Sequence, residues 1–509
     1  MEKRLNVSID TVFNCVIPYI HDGDDRNSVS LVCRKWCELE GVTRKHVTVH
    51  LFYSPKPSRL HQRFPLLESL TLKGLSRWSL KKLSIDITPW IHEISVSFKC
   101  LKSLCIRCMV VGDLDLELLA RTRGKDLRVL KMIYCEGLST DGLLHIGKCC
   151  NDLRTLCLKG HWVHEKDGKW LHELALQNTG IESLEFSNIK KYDVKDLTLL
   201  AKNCSQSLVS LKLCRSSRCA LIDLVDVFRY VVRLEDFVGG GWDKNEGYGG
   251  FKFPPTIRRM SVTNKTSLPL VLPLAHQLRE LYLDHLLMDA DSRCFLIQRC
   301  PNLEILHIGC ELGDMGLKLL GQFCKKLRCY KTFGFVSHIG LIALAQGCLA
   351  LECLHVNLTH ITIEAMKCIG THLKNLHDFR LTYKHGYTSL PLDNGILAVL
   401  IGCGKLERLG ICGLTDVGLG YIGKYGHNLR YLSLQYAGES DAGLMELSKG
   451  CPKLRKLFIY NCPFSKQAIV TIVFNMHSLR YMKVSGITGI KKFEMTRPNY
   501  EPRLVNGDA

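Results

Sequence analysis

The sequence lacks the features of a membrane-spanning or secreted protein. No stretch of about 18 consecutive apolar residues occurs, so we expect no membrane-spanning helix. The first residues, MEKRLNVSIDTVFNCVIPYIHD, contain no uninterrupted apolar core and no small-residue cleavage site, so we expect no secretory signal peptide.

Acidic residues are scarce relative to basic ones. The chain has 49 Asp and Glu against 68 Lys and Arg, which gives a formal net charge of +19. An excess of this size indicates an anionic partner: a nucleic acid, a polyphosphate, a membrane surface or an acidic protein segment. Charge is the one feature that favours a nucleic acid, so we do not expect nucleic-acid binding.

Metal-ligand and catalytic patterns are also missing. The CxxC motif CIRC (105–108) lies on a strand-like phrase, the nearest pair of histidines is HWVH (161–164), and no second CxxC follows at zinc-finger spacing. No nucleophile–base pair stands out from the repeated background. We therefore expect a non-catalytic protein without a metal cofactor.

One short phrase recurs along most of the chain, in forms such as LLESLTL, LRVLKM, LRELYL, LERLGI and LRKLFI. Most copies follow one another after 23 to 28 residues, which is the spacing of leucine-rich repeats. The pattern predicts an α/β solenoid, a horseshoe of about 17 repeats in which each strand is followed by a helix. The first apolar residues of the copies are at positions 67, 101, 127, 153, 181, 208, 234, 257, 278, 303, 327, 351, 376, 406, 429, 454 and 479.

The 25 cysteines fit this repeat. Cys204 falls four residues before the next phrase, and six others fall three residues before it: Cys150, Cys300, Cys324, Cys348, Cys403 and Cys451. A buried thiol behaves as a small apolar side chain. We expect these cysteines to be reduced core residues, as in a protein of the cytosol or nucleus.

A separate helical unit precedes the repeats. Val12, Val16 and Ile20 recur every four residues, and a second apolar face carries Val32 and Trp36. The unit is too short to bury both faces within itself. It must pack on the solenoid, on another protein, or on both.

The segment DRNSVSLVCRKWCELE, followed by TRKHVTV and leucine-rich repeats, resembles the F-box of plant hormone receptors. Phrases such as TPWIHEIS, DLDLELLAR, TDGLLHIGKCC, EKDGKWLHELA, LPLDNG and GESDAGLMELSKGC are similar to the coronatine-insensitive, or jasmonate-receptor, branch. The resemblance extends from about residue 7 to about residue 500. It implies an F-box at 1–48, a solenoid at 49–488 and a short C-terminal tail at 489–509.

The resemblance also implies a function. The chain is expected to be the substrate-recognition subunit of a Skp–cullin–F-box ubiquitin ligase, acting in the nucleus, the cytoplasm or both. Its partners would be a Skp-type adaptor, a cullin, a jasmonate-like small molecule and a repressor degron of the jasmonate-ZIM-domain type, with an inositol polyphosphate as cofactor. The residues that we expect to face the adaptor are Val12, Val16, Ile20, Leu31, Val32 and Trp36.

Basic residues at the family's pocket positions are the candidates for binding the ligand or the polyphosphate, because guanidinium groups bind carboxylates and phosphates in a bidentate manner. These candidates are Lys73, Arg77, Arg107, Lys331, Arg380 and Lys456.

Several other pocket positions depart from the family pattern. Cys329 and Lys331 stand in a strand where the family has arginine, and His355 and Asn357 stand where it has a small residue and a tyrosine. Further departures are Lys81, Cys412, Tyr460 and Lys483. The alternative prediction is therefore a diverged interaction scaffold without hormone sensing.

Two features away from the pocket also differ from the family. Pro18 falls late in the first F-box helix, where an interior proline costs about 3 kcal/mol unless the helix ends there. The chain ends in RPNYEPRLVNGDA, before the family's final segment, so we expect the last repeats to lack their usual cap.

Overall fold

A computed structural model describes residues 16–20, 23–51, 56–74, 85–160, 163–166, 169–189, 192–214, 221–239, 251–262, 267–283, 288–358, 361–383, 391–487, 490–496 and 503–505. Val12, Arg77 and Lys81 lie outside these ranges. The described residues fall into two compact units. The first contains the residues up to Leu234 with Val238 and Gly239, and the second contains Glu235–Phe237 with the residues from Phe251 onward.

The strands recur with the period of the repeat. They are β1 (His46–His50), β2 (Ser69–Lys73), β3 (Ser103–Arg107), β4 (Val129–Ile133), β5 (Thr155–Lys159), β6 (Ser183–Ser187), β7 (Ser210–Cys214), β8 (Asp236–Val238), β9 (Arg259–Ser261), β10 (Glu280–Leu283), β11 (Ile305–Ile308), β12 (Cys329–Val336), β13 (Cys353–Leu358), β14 (Asp378–Tyr383), β15 (Arg408–Cys412), β16 (Tyr431–Gln435), β17 (Lys456–Tyr460), β18 (Tyr481–Ile487), β19 (Ile490–Thr496) and β20 (Arg503–Val505).

Helices alternate with these strands. They are α1 (Gly23–Val29), α2 (Arg34–Thr43), α3 (Pro57–Arg63), α4 (Thr88–Val96), α5 (Asp113–Arg123), α6 (Thr140–Cys149), α7 (Trp170–Gln177), α8 (Val194–Asn203), α9 (Val225–Tyr230), α10 (Leu268–Val271), α11 (Ala290–Ile297), α12 (Gly313–Phe323), α13 (His338–Gly347), α14 (Ile363–His372), α15 (Asp393–Gly402), α16 (Asp416–Tyr425), α17 (Asp441–Lys449) and α18 (Lys466–Asn475). No helix among the described residues has the length and apolarity needed to cross a bilayer.

The predicted leucine-rich-repeat solenoid and helical N-terminus are confirmed. Each of the 17 strands from β2 to β18 begins two residues after the first apolar residue of a phrase, and all of those apolar residues are buried. The two ends of the predicted solenoid remain predictions. The boundary at residues 48 and 49 falls within β1, and β18 ends at Ile487.

Strand pairing fixes which side chains face outward. In a strand such as β2, Leu70 and Leu72 are buried while the residues between them are half-buried, because successive side chains point to opposite faces. Neighbouring strands pair in parallel from β1 to β7 within the first unit. They pair in parallel from β8 to β18 within the second. The strands β19 and β20 then add antiparallel pairs.

The predicted core cysteines are buried and link successive repeats. The Cys324 thiol donates to the carbonyl of Cys300 at 3.5 Å, and the Cys348 thiol donates to the carbonyl of Cys324 at 3.5 Å. Burial raises the pKa of the Cys348 thiol to about 12, so it stays protonated. Each of these carbonyls also accepts a backbone N–H, from Leu303 and Leu327 respectively, so the thiol adds a link between repeats to the turn that ends each helix.

A second link connects the starts of neighbouring helices. The Asp416 carboxylate accepts hydrogen bonds from the Ser440 hydroxyl at 2.5 Å and from the Ser440 backbone N–H at 3.2 Å. The Ser440 hydroxyl in turn accepts from the N–H of Ala442 and caps helix α17. Asp393 holds Thr415 and Asp441 holds Ser465 in the same way. Three consecutive helices are therefore capped across repeats.

Candidate functional site

The predicted adaptor-binding residues lie in the N-terminal helical segment. Val16, Leu31 and Val32 are 47%, 85% and 59% exposed, whereas Ile20 and Trp36 are partly buried. Val12 lies outside the described residues. Exposed apolar side chains concentrated in one short segment are typical of a protein-binding surface.

The first turn that the structure describes ends just after Pro18, and an arginine satisfies the carbonyls there. A 3-10 turn covers Ile17–Tyr19 with Pro18 near its start, and the backbone becomes extended at Ile20. The Arg26 guanidinium donates to the carbonyls of Ile20 at 2.7 Å, Ile17 at 3.0 Å and Pro18 at 3.4 Å. The proline is therefore accommodated because an arginine of α1 supplies the donors that the missing helical turn would have supplied.

A buried carboxylate connects the three helices of this segment. Glu40 of α2 is fully buried and receives a hydrogen bond from Arg44. Its carboxylate also lies 3.8 Å from Arg26 of α1 and 3.4 Å from Arg63 of α3. Three guanidinium groups therefore offset one buried negative charge, and this network connects α1, α2 and α3.

In the first unit, Lys73 and Arg107 end the adjacent strands β2 and β3 and are register partners. Burial lowers the pKa of the Lys73 amine, and the Arg107 guanidinium lowers it further. Lys131 of β4 lies beside Cys105, which Lys73 and Arg107 also approach. No carboxylate among the described residues pairs with Lys73, Arg107 or Lys131. These three cations therefore form a basic surface suited to an anion.

In the second unit, a network surrounds Asp378 of β14. Arg380 donates to both carboxylate oxygens through Nε at 2.9 Å and Nη2 at 3.1 Å. Arg408 lies 3.3 Å from the same carboxylate, and His355 Nε2 lies 3.0 Å from it. Burial opposes ionisation, but the hydrogen bonds from His355 and Arg380 lower the pKa of Asp378 to about 2. Two guanidinium groups share one carboxylate, so the network retains positive charge.

Aromatic rings lie next to these arginines. The Arg380 and Arg408 guanidinium groups lie 4.7 Å and 5.2 Å from the centre of the Tyr431 ring. Phe458 follows at 5.0 Å from Tyr431, and Tyr481 lies 5.4 Å beyond it. We call Arg380, Arg408, Tyr431, Phe458 and Tyr481 the arginine–aromatic surface. It combines cationic groups with an apolar wall on neighbouring strands.

The other candidates in the second unit have defined places beside this surface. Lys331 is the register partner of His355, which in turn pairs with Arg380. Lys456 pairs with Tyr431 and Tyr481, one strand away on each side. The register therefore places Lys331 and Arg380 in one row across the strands and Lys456 in the neighbouring row, two residues earlier in each strand. Lys73 and Arg107 lie on the ladder of the first unit.

Sequence reasoning missed Asp378, the acceptor that Arg380 and Arg408 share, and two members of the arginine–aromatic surface, Arg408 and Tyr431. Each occupies the first position of its strand and faces outward in register with Cys353 and Lys456. Aligning every phrase at its first strand residue would have placed these side chains in one row.

Among the departures from the family pattern, Tyr460 continues the aromatic wall with its ring 6.3 Å from Phe458. Lys483 is the register partner of Phe458. Asn357 donates to the Phe333 carbonyl at 2.8 Å, where β12 carries a bulge. Cys412 is buried. Of these changed residues, Tyr460 and Lys483 therefore lie beside Phe458 of the arginine–aromatic surface.

Comparison with known proteins supports this architecture. Residues 6–46 match the F-box family. The chain is 43% identical to coronatine-insensitive protein 1 of Arabidopsis thaliana, over 99% of this chain and 91% of that protein. It is 40% identical to coronatine-insensitive protein homolog 1a of Oryza sativa subsp. japonica, over 97% of this chain and 90% of that protein. It is 31% identical to GRR1-like protein 1 of Arabidopsis thaliana, over 93% and 86%.

An F-box ahead of a leucine-rich-repeat ladder defines the class of F-box/leucine-rich-repeat proteins, typically the non-catalytic substrate receptors of Skp–cullin–F-box ubiquitin ligases. Within that class, identities of 43% and 40% over 99% and 97% of the chain show that it belongs to the coronatine-insensitive protein family.

Proposed function

We propose that the chain senses a jasmonate-like small molecule and then captures a repressor of the jasmonate-ZIM-domain type for ubiquitin-dependent degradation. The F-box would bind a Skp-type adaptor and, through it, a cullin. The observation that carries the hormone-sensing part is the arginine–aromatic surface, where two guanidinium groups share the single carboxylate of Asp378. We expect the protein to act in the nucleus, the cytoplasm or both, where thiols stay reduced.

The chemistry of this surface fits an anionic ligand with an apolar body. Arg380 and Arg408 can offer N–H groups to a carboxylate or carbonyl, because Asp378 accepts only part of their donor capacity. Tyr431 and Phe458, whose ring planes are inclined by 36°, give an apolar partner an aromatic surface to pack against. A degron would complete the burial of such a ligand.

A polyphosphate is proposed at the basic surface of the first unit. Lys73, Arg107 and Lys131 present cationic groups that no described carboxylate neutralises. Phosphate oxygens would satisfy these donors and relieve the mutual repulsion of Lys73 and Arg107. Inositol hexakisphosphate should therefore raise the thermal midpoint of the wild-type chain, and a Lys73→Ala variant should show a smaller rise.

The alternative function is an F-box scaffold without hormone sensing. The departures at Cys329, His355 and Lys483 favour it, because these side chains border the surface that would have to recognise the ligand. Loss of one charged contact whose partner stays buried costs several kcal/mol, about 2 to 5. Substitutions at this border can therefore abolish recognition while leaving the fold intact.

The test is a pull-down of a jasmonate-ZIM-domain degron, with and without coronatine, by the full chain co-expressed with a Skp-type adaptor. We expect hormone-dependent capture by the wild type, and a decrease of about tenfold or more for Arg380→Ala. The matched control is Arg328→Ala, because Arg328 also forms a bidentate pair with a carboxylate, that of Glu352, but that pair is solvent-exposed. We expect the control to capture the degron as the wild type does.

The outcomes separate the two functions. Adaptor co-purification without any hormone-dependent capture would contradict the sensing role and support the scaffold. Equal capture by the Arg380→Ala variant and the wild type would show that the ligand does not use the arginine–aromatic surface. Failure to bind the adaptor would contradict the ligase role and support an interaction scaffold outside the ligase.

A further inference from the structure

Three metal-ligating side chains converge beside the arginine–aromatic surface. The Cys353 thiol lies 3.5 Å from His355 Nε2, which lies 3.0 Å from Asp378 Oδ1. The ligand atoms of all three residues lie within 4.8 Å of one another. A tetrahedral zinc ion with bonds of about 2.0 to 2.3 Å separates its ligand atoms by about 3.3 to 3.7 Å. The observed separations need only small side-chain movements to accept such an ion.

Strand pairing explains this convergence. Cys353 and His355 are two residues apart on β13 and point to the same face. Cys353 is the register partner of Asp378 on β14 and of Cys329 on β12. The Cys329 thiol lies within hydrogen-bonding reach of the Cys353 thiol, and 3.9 Å from Nε2 of His307. A second thiol therefore lies next to Cys353, on the strand that flanks β13 on the side opposite to Asp378.

We propose that Cys329, Cys353, His355 and Asp378 bind a divalent metal ion of the zinc class. Two thiols and an imidazole favour a borderline-soft ion over magnesium or calcium, which prefer oxygen ligands. Arg380 and Arg408 already orient the Asp378 carboxylate, and groups that orient ligands in this way preorganise metal sites. The two thiolates and the carboxylate supply the negative charge that a dication requires near two guanidinium groups.

The site was not visible in the spacing of residues along the chain. Metal motifs are usually recognised from ligands a few residues apart, whereas these ligands come from three successive repeats. This inference goes beyond the proposed function, because it requires neither the adaptor nor the hormone. Its failure would leave the degron capture test unchanged.

The experiment titrates Co²⁺, and in parallel Zn²⁺, into the full chain kept reduced and freed of metal. Co²⁺ bound tetrahedrally by thiolates gives strong ligand-field bands and a thiolate-to-cobalt charge-transfer band. We expect the wild type to show both bands. We also expect it to bind one equivalent of metal more than the variants Cys353→Ser and His355→Asn at the same metal concentration. In each variant, affinity at this site should fall by at least about tenfold, because even the loss of groups that only orient ligands costs 10- to 100-fold.

The matched control is Cys368→Ser. The Cys368 thiol lies 3.6 Å from Nδ1 of His372, so it is also a cysteine–histidine pair, but no third metal-ligating group among the described residues joins it. We expect this control to keep the wild-type stoichiometry and spectrum. Cys329→Ser serves as a further variant, with thermal melts showing that each protein is folded. Equal metal uptake and identical cobalt spectra in the wild type, Cys353→Ser and His355→Asn would overturn the proposal.

Discussion

Replacing Glu40 with glutamine tests the charge network of the F-box. The variant keeps the shape of the side chain but leaves Arg26, Arg44 and Arg63 without their shared negative charge. Breaking a buried ion pair from one side costs about 3 to 5 kcal/mol. We expect about 3 kcal/mol, because Arg63 is partly exposed and can turn to water, while Arg26 keeps its three backbone carbonyls.

Hydrogen exchange of peptides from α1 and α2, read by mass spectrometry, measures this local stability directly. A loss of about 3 kcal/mol raises the opening equilibrium, and hence the exchange rate, by roughly a hundredfold. The matched control is Glu38→Gln, because Glu38 is an exposed acidic residue of the same helix and should change stability by less than about 0.5 kcal/mol. Indistinguishable exchange in the two variants would refute the assignment of Glu40 as the residue that connects these helices.

Three further predictions concern the capping links, the thiols and the adaptor surface. Burial alone would raise the pKa of Asp416, but hydrogen bonds that include those from Ser440 outweigh burial, so the pKa in the folded state is lowered. The ionised carboxylate therefore stabilises the folded state above the pKa of the unfolded chain, and this stability is lost as the pH falls through the pKa of the folded state. Ser440→Ala should therefore cost about 1 kcal/mol in urea unfolding near neutral pH, and clearly less once Asp416 is protonated; the same loss at every pH would contradict the link. Iodoacetamide should label exposed Cys33 in the native chain. It should spare buried thiols whose pKa is raised to about 12, such as Cys150, Cys300, Cys348 and Cys451, until urea is added. Labelling of these four thiols in the native chain would refute their burial. Leu31→Asp should reduce co-purification with a Skp-type adaptor by about tenfold or more. The control Val96→Asp, at a site 73% exposed outside the F-box, should leave co-purification unchanged. Equal adaptor binding by the Leu31→Asp variant and the wild type would place the adaptor surface elsewhere.

The repeats could be predicted from the sequence because their signal is local. Each phrase starts with an apolar residue whose strand begins two positions later, and this relation holds at all 17 copies from Leu67 to Leu479. The alternate apolar residues of such a short phrase are buried together only when the phrase forms a strand that packs against the next repeat.

The sites were harder to predict, because their geometry depends on register between repeats. Arg380 was identified, but Asp378 of the same strand, Arg408 of β15 and Tyr431 of β16 were not, because their proximity follows from the pairing of three consecutive strands. The same holds for Cys353 and His355, whose convergence with Asp378 is a property of the paired strands. A resemblance to relatives indicates which positions bind ligands in those relatives. It says little about a new set of ligating side chains at positions where this chain differs from them.

The cross-repeat caps have a consequence for how such an array can change during evolution. Asp393, Asp416 and Asp441 each complete the helix start of the following repeat rather than that of their own. A deletion that cuts between such an aspartate and its serine or threonine partner leaves a hydroxyl and a backbone N–H without their acceptor. Duplications and excisions are therefore tolerated best when they span a whole period, from one capping serine or threonine to the next, so that the new junction again joins an aspartate to a hydroxyl.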